Sequence, residues 1–290
     1  MKKGLLIAGG ITLLLLGAGY GVVKGIAGEA AWAAEGLSGG MPFMADFAGK
    51  GGPAAFAEKL DLTQAQRSQI KTILKSEKPA VKPLVLELGA TWKTVKSQTS
   101  TGTVDASKVE AEIAKEQPAV AKLIVEAART KTQIYNTVLT PAQQKKADTL
   151  IDDIDTHTQE HLDKIPQMAG RFISLASWKL NLTDDQKSQI QALVDAGVKH
   201  DLPLAKELAQ ERKAVLDATA GGKFDEAQVS ALAQKPAKTA TVLATDAAIL
   251  KSQVFAVLTQ AQRDQISTFQ EQMKNRRAAR IHKLFPGLGA

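Results

Sequence analysis

Apolar residues recur along this chain at the spacing of a helix face. Ile70, Ile73 and Leu74 lie three or four positions apart, and similar stripes follow within residues 147–151 and 190–194. Such spacing predicts amphipathic helices, so we expect an all-α protein. The predicted helices cover residues 54–59, 64–78, 81–97, 106–138, 141–164, 171–179, 184–199, 203–218, 226–257 and 260–284.

A short motif, Leu-Thr-x-x-Gln, precedes four of these helices. Its threonine and glutamine have the spacing of a capping box, in which the Thr hydroxyl accepts from the amide three residues on and the Gln side chain accepts from the threonine amide. Pro141 follows one threonine and suits the first helical position. We therefore interpret each motif as a helix start. The motif residues are Leu62, Thr63, Gln66, Leu139, Thr140, Gln143, Leu182, Thr183, Gln186, Leu258, Thr259 and Gln262.

The four motifs form a duplicated pair. The first and third copies begin 120 residues apart and the second and fourth 119 apart. The surrounding sequence repeats as well, since residues 60–71 and 180–191 are identical at seven of twelve aligned positions. We expect two tandem helical units with the same fold, at residues 54–165 and 171–290.

Prolines predict where helices bend or end. Pro118 and Pro236 fall inside the long third helix of each unit, where a missing N–H and a steric clash favour a bend. The alternative is that each helix breaks in two there. Pro166 and Gly170 predict a linker at residues 166–170.

The N-terminal residues predict export. Lys2 and Lys3 precede an uncharged apolar run at residues 4–23, and Ala31-Trp32-Ala33 provides a small-x-small cleavage site. Residues 1–33 are thus interpreted as an export signal. The run also has the roughly 20 residues that a membrane anchor needs. Either form places the helical units in the periplasm, soluble or anchored to the inner membrane.

The segment that follows, residues 34–53, is rich in glycine and predicts a flexible tether. Its aromatic residues, Phe43 and Phe47, offer an alternative in which the segment docks in a groove.

Residues 108–115, then Gln133-Ile134-Tyr135-Asn136 and the motif at Leu139, resemble the Spy/CpxP family of bacterial periplasmic proteins. The resemblance covers residues 54–163 well and 172–283 more loosely, where Phe255 replaces Tyr135 and Asn136 has no counterpart. It implies all-helical units that pair into a thin, curved cradle. Known members act as ATP-independent chaperones, as stress adaptors that restrain a sensor kinase, or as zinc-responsive relatives.

These implications give two expectations for function. The first is an ATP-independent periplasmic chaperone, or holdase, that binds unfolded or partly folded polypeptides on a pseudo-twofold cradle formed within one chain. The alternative is a regulatory adaptor that binds a sensor-kinase domain under envelope or metal stress.

A row of basic residues predicts where clients bind. Arg67, Lys71, Lys75, Lys78 and Lys82 recur at helical spacing, and they align on one stripe if the helix continues past Pro79. Positive charge speeds the encounter with acidic or unfolded chains, although an ordinary solvated face has the same pattern. The C-terminal arginines favour contact with anionic lipid. Nucleic acid is not expected, because few aromatic residues are present for stacking.

Catalytic motifs are missing from the sequence. It contains no glycine-rich phosphate loop, no GxSxG, no HExxH and no cysteine, so we expect neither an enzyme nor a cofactor. His157 and His161 are one helical turn apart, beside Asp153 and Glu160, which is a weak metal-binding pattern. The run is polar throughout and fits a solvated helix better, so we expect no metal there.

Overall fold

The computed structural model describes residues 59–100 and 102–268, and within these ranges it contains helices and no strand. The predicted export signal, the predicted tether, the end of the last predicted helix and nearly all of the first lie outside them. The helices are α1 Gln64–Gln98, α2 Ala106–Ala114, α3 Gln117–Thr137, α4 Pro141–Leu180, α5 Asp184–Ala218 and α6 Glu226–Val257, with a 3-10 turn at Ala220–Gly222 before α6. A last helix, α7, begins at residue 260 and is described through 268.

The duplication is visible in the helix bounds. α1 and α5 each have 35 residues and begin 120 positions apart. Their C-caps, Thr99 and Thr219, have the same offset, as do Asp105 and Asp225, which cap α2 and α6. The first unit therefore consists of α1–α3 and the start of α4, and the second of the end of α4 and α5–α7.

Several predicted helix ends are wrong, because helices continue through their prolines. α1 contains Pro79 and Pro83, and α5 contains Pro203. An interior proline costs about 3 kcal/mol. In α1 the residues beyond it, Val81 and Val85, pack in the core, which offsets that cost and keeps the helix whole.

The predicted linker at residues 166–170 is also wrong, since α4 is helical throughout and contains Pro166. Ala169 and Ile173 are buried in the second unit's core. Because residues beyond Pro166 are buried, the helix continues where the composition alone favoured a break.

The two long third helices behave differently. In the first unit the chain breaks between α2 and α3, so the prediction of one bent helix is wrong there. Pro118 has no N–H to donate to the carbonyl of Ala114, the last residue of α2, and its ring would clash with that carbonyl in a continuous helix. In the second unit α6 continues through Pro236. At the 120-residue offset these two prolines are not equivalent, because Pro236 corresponds to Glu116.

Three main clusters of buried side chains organise the molecule. One lies at the motif end of the first unit and includes Leu60, Ile70 and Ile134. Its counterpart in the second unit includes Leu180, Ile190 and Val254, each 120 residues later. The central cluster joins both units, because α1 and α3 contribute to it together with α5 and α6. The units therefore share one core and do not form independent domains.

One hydrogen bond between the units has a counterpart in which the two units exchange roles. The Lys131 ammonium donates to the Thr219 hydroxyl at 2.8 Å, and the Lys251 ammonium donates to the Thr99 hydroxyl at 3.3 Å. All four residues are buried. Because both partners are shifted by 120 residues, the pair has the reciprocity that a twofold relation produces.

Two glycines with positive φ repeat this reciprocity. A Cβ at Gly222 would collide with Asn136 and Tyr135, and a Cβ at Gly102 would collide with the backbone of Ala256. Asn136 also donates to the Gly222 carbonyl at 2.7 Å. Ala256 stands at the position equivalent to Asn136, so the prediction that Asn136 has no counterpart is wrong. The alanine occupies the same place in the helix, and the side-chain hydrogen bond is lost.

Among the described helices, α6 is the one long and apolar enough to cross a membrane by composition. It packs against α2, α3 and α5, and most of its apolar stretch is buried. The apolar composition of α6 is explained by its burial in the central core.

Candidate client-binding surface and motif clasps

Each of the four motifs forms the hydrogen bonds of a capping box. At the first, the Gln66 amide donates to the Thr63 hydroxyl at 3.2 Å and the Thr63 amide donates to Gln66 Oε1 at 3.0 Å. The same pairs occur at Thr140, Thr183 and Thr259. The motif therefore starts α1, α4, α5 and α7.

The glutamines have a second role that capping does not require. Gln66 Nε2 donates to Gln143 Oε1 at 2.7 Å and to the Val138 carbonyl at 2.8 Å. Gln143 Nε2 donates back to Gln66 Oε1 at 3.2 Å and to the Leu60 carbonyl at 3.0 Å. We call this pair the first glutamine clasp. It ties the start of α1 to the end of α3 and the start of α4.

The second glutamine clasp is built in the same way. Gln186 and Gln262 exchange hydrogen bonds at 2.9 and 3.1 Å, and they also donate to the carbonyls of Val257 and Leu180. Side chains with both a donor and an acceptor are needed here, and an amide supplies both. The spacing of about 76 residues inside each motif pair thus reflects direct contact between the two motifs.

The predicted basic residues do lie on one continuous helix. Arg67, Lys71, Lys75 and Lys82 are exposed and Lys78 is half-buried. With about 100° per residue, the five fall within roughly 80° of the helix circumference. We call them the α1 basic stripe. None of them forms an ion pair with a residue of 59–100 or 102–268, and Arg67 Nε donates to the Leu62 carbonyl at 3.1 Å.

Exposed apolar side chains are few in the described part of the chain. The large ones are Leu86, Trp178 and Val242, of which Trp178 is 67% and Leu86 59% exposed. Leu86 follows the α1 basic stripe on the same side of the helix. The Lys179 ammonium lies 5.2 Å from the Trp178 ring centroid, a cation–π contact.

The sequence matches the family described as LTXXQ motif family protein over residues 48–151 and again over 168–270. These two matches cover well over half of the chain and coincide with the duplicated units. The chain belongs to the LTXXQ motif family. The family is associated with periplasmic proteins of the stress-related chaperone and adaptor type. No curated protein and no solved structure matches this chain.

In this LTXXQ protein the predicted histidine pair is an exposed surface feature. His157 lies 3.5 Å from Glu160, which also lies 3.9 Å from Lys164. The described residues contain one group of three metal-ligating side chains, and it does not include His157 or His161.

That group, His200, Asp201 and Asp246, was not among the predicted site residues. His200 and Asp201 are adjacent in α5, but Asp246 lies 45 residues beyond Asp201 in α6, so no local sequence pattern indicates the group. His200 Nδ1 lies 3.0 Å from Asp201 Oδ1 and 3.6 Å from Asp246 Oδ2. The hydrogen bond with Asp201 raises the pKa of His200, and burial raises the pKa of both carboxyls.

The buried lysines of the LTXXQ units, Lys131 and Lys251, were also not among the predicted site residues. Burial lowers the pKa of Lys131 and of Lys251 to about 8, because a low-dielectric surrounding disfavours the ammonium. Their signal in the sequence was the 120-residue repeat of a lysine within an otherwise apolar helix face. They join the units across the shared core.

Proposed function

We propose that this protein is an ATP-independent periplasmic holdase that binds unfolded or aggregation-prone polypeptides through the α1 basic stripe and the neighbouring Leu86. Membership of the LTXXQ family supports the class of function. The observation that carries the proposal is a row of five cations on one helix face, four of them exposed and none ion-paired within the described residues, followed by the exposed Leu86. Long-range attraction speeds encounter with a client, and the apolar contact then slows its release.

The reciprocal contacts between the units support a role for the duplication. A single chain already contains both units joined by a common core, so a two-unit surface does not depend on assembly between chains. We propose that these units form an intramolecular cradle, with the α1 basic stripe along one side.

A second candidate is a regulatory adaptor that binds one sensor domain. The small number of exposed large apolar residues in the described part of the chain favours it, because promiscuous binders use extended apolar surfaces. An adaptor selects one partner by complementary charge and shape, for which the α1 basic stripe is also suited.

One assay separates the two. The full-length chain, in a mild nonionic detergent, is added to several unrelated proteins as they aggregate after dilution from denaturant. A holdase suppresses light scattering for most of them at near-stoichiometric amounts, independently of ATP. Suppression of none, with tight binding to a single sensor domain, would reject the holdase and leave the adaptor.

A further inference from the structure

The side chains of His200, Asp201 and Asp246 converge where α5 packs on α6. Their three closest ligand atoms lie within 4.8 Å of one another. The Asp201 side chain is only 8% exposed, and its hydrogen bond in the structure is to His200. Asp246 Oδ2 is sealed from solvent and has no hydrogen-bond partner. Two carboxylates thus point into one small space with a single imidazole beside them.

The charge around this space is unbalanced. The groups that act on Asp246 are Asp201 and Glu110, which oppose its ionisation, and His200, which favours it. At Asp201, His200 is the group that favours ionisation of the carboxyl. Among the described residues, no lysine or arginine favours the ionisation of either carboxyl. Burying carboxylates without a compensating cation is costly, so the arrangement calls for positive charge.

The duplication provides an internal comparison. At the 120-residue offset, Asp201 corresponds to Val81, a core residue of the first unit, and His200 corresponds to Ala80. Asp246 corresponds to Glu126, which is held by Arg129 at 3.0 Å. The same place in the fold is therefore satisfied by apolar packing and an ion pair in one unit. In the other unit it has a histidine and two aspartates.

We propose that His200, Asp201 and Asp246 form a binding site for a divalent first-row transition cation, with Zn²⁺ as the reference ion. Ligand atoms about 2.0–2.2 Å from a cation are separated by roughly 2.8–3.6 Å in tetrahedral or octahedral geometry, and the two distances at His200 lie within this range. The imidazole nitrogen favours Zn²⁺ and its neighbours over Mg²⁺ and Ca²⁺. The His200 side chain is 67% exposed, which leaves the cation accessible to water or a further ligand.

The test uses full-length, chelator-treated protein in mild detergent, titrated with Zn²⁺ and melted. Wild type should show a rise in Tm of roughly 5–10 °C at a hundredfold excess over Kd. His200→Ala should weaken Zn²⁺ affinity at least tenfold. Asp201→Val, which restores the residue of the first unit, should abolish the shift yet melt at or above wild type without metal. The control is the double variant His157→Ala and His161→Ala, which should keep the full shift.

Co²⁺ provides a second readout, because its visible spectrum reports the ligand set. Spectral changes in wild type and in the control, absent in His200→Ala, would support the site. A Zn²⁺ shift retained in both His200→Ala and Asp201→Val would overturn it. So would no shift in wild type up to about 1 mM, which would leave His200 as a hydrogen-bond partner of Asp201 beside Asp246. If Asp201→Val does not fold, His200→Ala decides alone, since its side chain is on the surface. The outcome is independent of the holdase assay.

Discussion

The two units of this protein share a backbone plan but differ in charge along their longest matched helices. α1 carries seven basic and two acidic residues, a net charge of +5, whereas α5 carries five basic and seven acidic residues, a net of −2. Of the α1 basic stripe, only Arg67 has a basic counterpart, Lys187. Duplication preserved the helix caps, the clasps and the shared core, while the outward faces diverged.

The environment of the two helices differs in the same way. In the second unit α4 lies against α5, where Leu162 packs beside Leu204 and Leu208 and Lys206 pairs with Asp163 at 2.7 Å. Val198 and Leu202, which replace Lys78 and Lys82, line the groove next to Pro166. The apolar replacements therefore accompany a covered helix face. The stripe of α1 is the more exposed version of the same face, and this asymmetry supports the proposal that clients bind to the first unit.

The largest effect is expected from separating the units. Cutting the chain in α4 between residues 165 and 166 divides the central core, which draws Val85 and Val120 from one unit and Val215 and Val229 from the other. Each isolated half should be largely unfolded or self-associated, as circular dichroism and sedimentation would report. Two stable, monomeric halves would show that the units fold independently and would break the comparison.

The buried lysines predict a stability that depends on pH. Below pH 8 both are charged in the folded state, and burial costs up to a few kcal/mol for each. Between about pH 8 and 10.5 the folded protein loses these protons while the unfolded chain keeps them, so this contribution makes stability rise with pH. Replacing Lys131 and Lys251 together by methionine should stabilise the protein at pH 7 and flatten this slope. Denaturant titrations at pH 7, 8.5 and 10 measure both.

If the free energy of unfolding of wild type rises no more steeply with pH than that of the double methionine variant, burial of the two lysines carries no such cost. The single variants sharpen the comparison of the units, because the reciprocal geometry predicts similar effects at both positions.

The clasps and caps predict equal losses in the two units. Thr63→Ala and Thr183→Ala should each cost about 0.5–2 kcal/mol through loss of an N-cap acceptor. Gln66→Ala and Gln186→Ala should cost more, about 1–3 kcal/mol, because each also strands its clasp partner. Urea denaturation of the four variants tests this. Glutamine variants no worse than the threonine variants would reject the clasp.

The smallest effect on stability, but a clear one on capture, is expected at the α1 basic stripe. Replacing Arg67, Lys71 and Lys75 by glutamine should slow client capture mainly at low salt, since exposed charges act through a field screened beyond about 10 Å at 0.1 M. Surface changes of this kind alter stability by about 0.5 kcal/mol or less. The matched control neutralises Lys145, Lys187 and Lys235, which are exposed on three other helices. Equal slowing by both triplets would show that net charge alone matters.

The features that local chemistry determines were predictable from the sequence. A threonine with a glutamine three residues on is enough for a cap, and the 120-residue repeat is enough for two similar units. The continuity of α1 and α4 was not predictable, because it depends on which residues beyond Pro79 and Pro166 find a core. The clasps and the cluster at His200 were missed for a related reason. They join residues 45 or more positions apart, and only the packing of α5 on α6 and of one motif on the other brings them together.

We propose that one chain contains both halves of a working cradle. The direct measurement is sedimentation velocity of the full-length chain over a wide concentration range, with aggregation suppression measured in the same samples. The account predicts a monomer throughout and suppression per chain that does not change with protein concentration, because the second unit is covalently supplied. Suppression that appears only as the chain dimerises would contradict it.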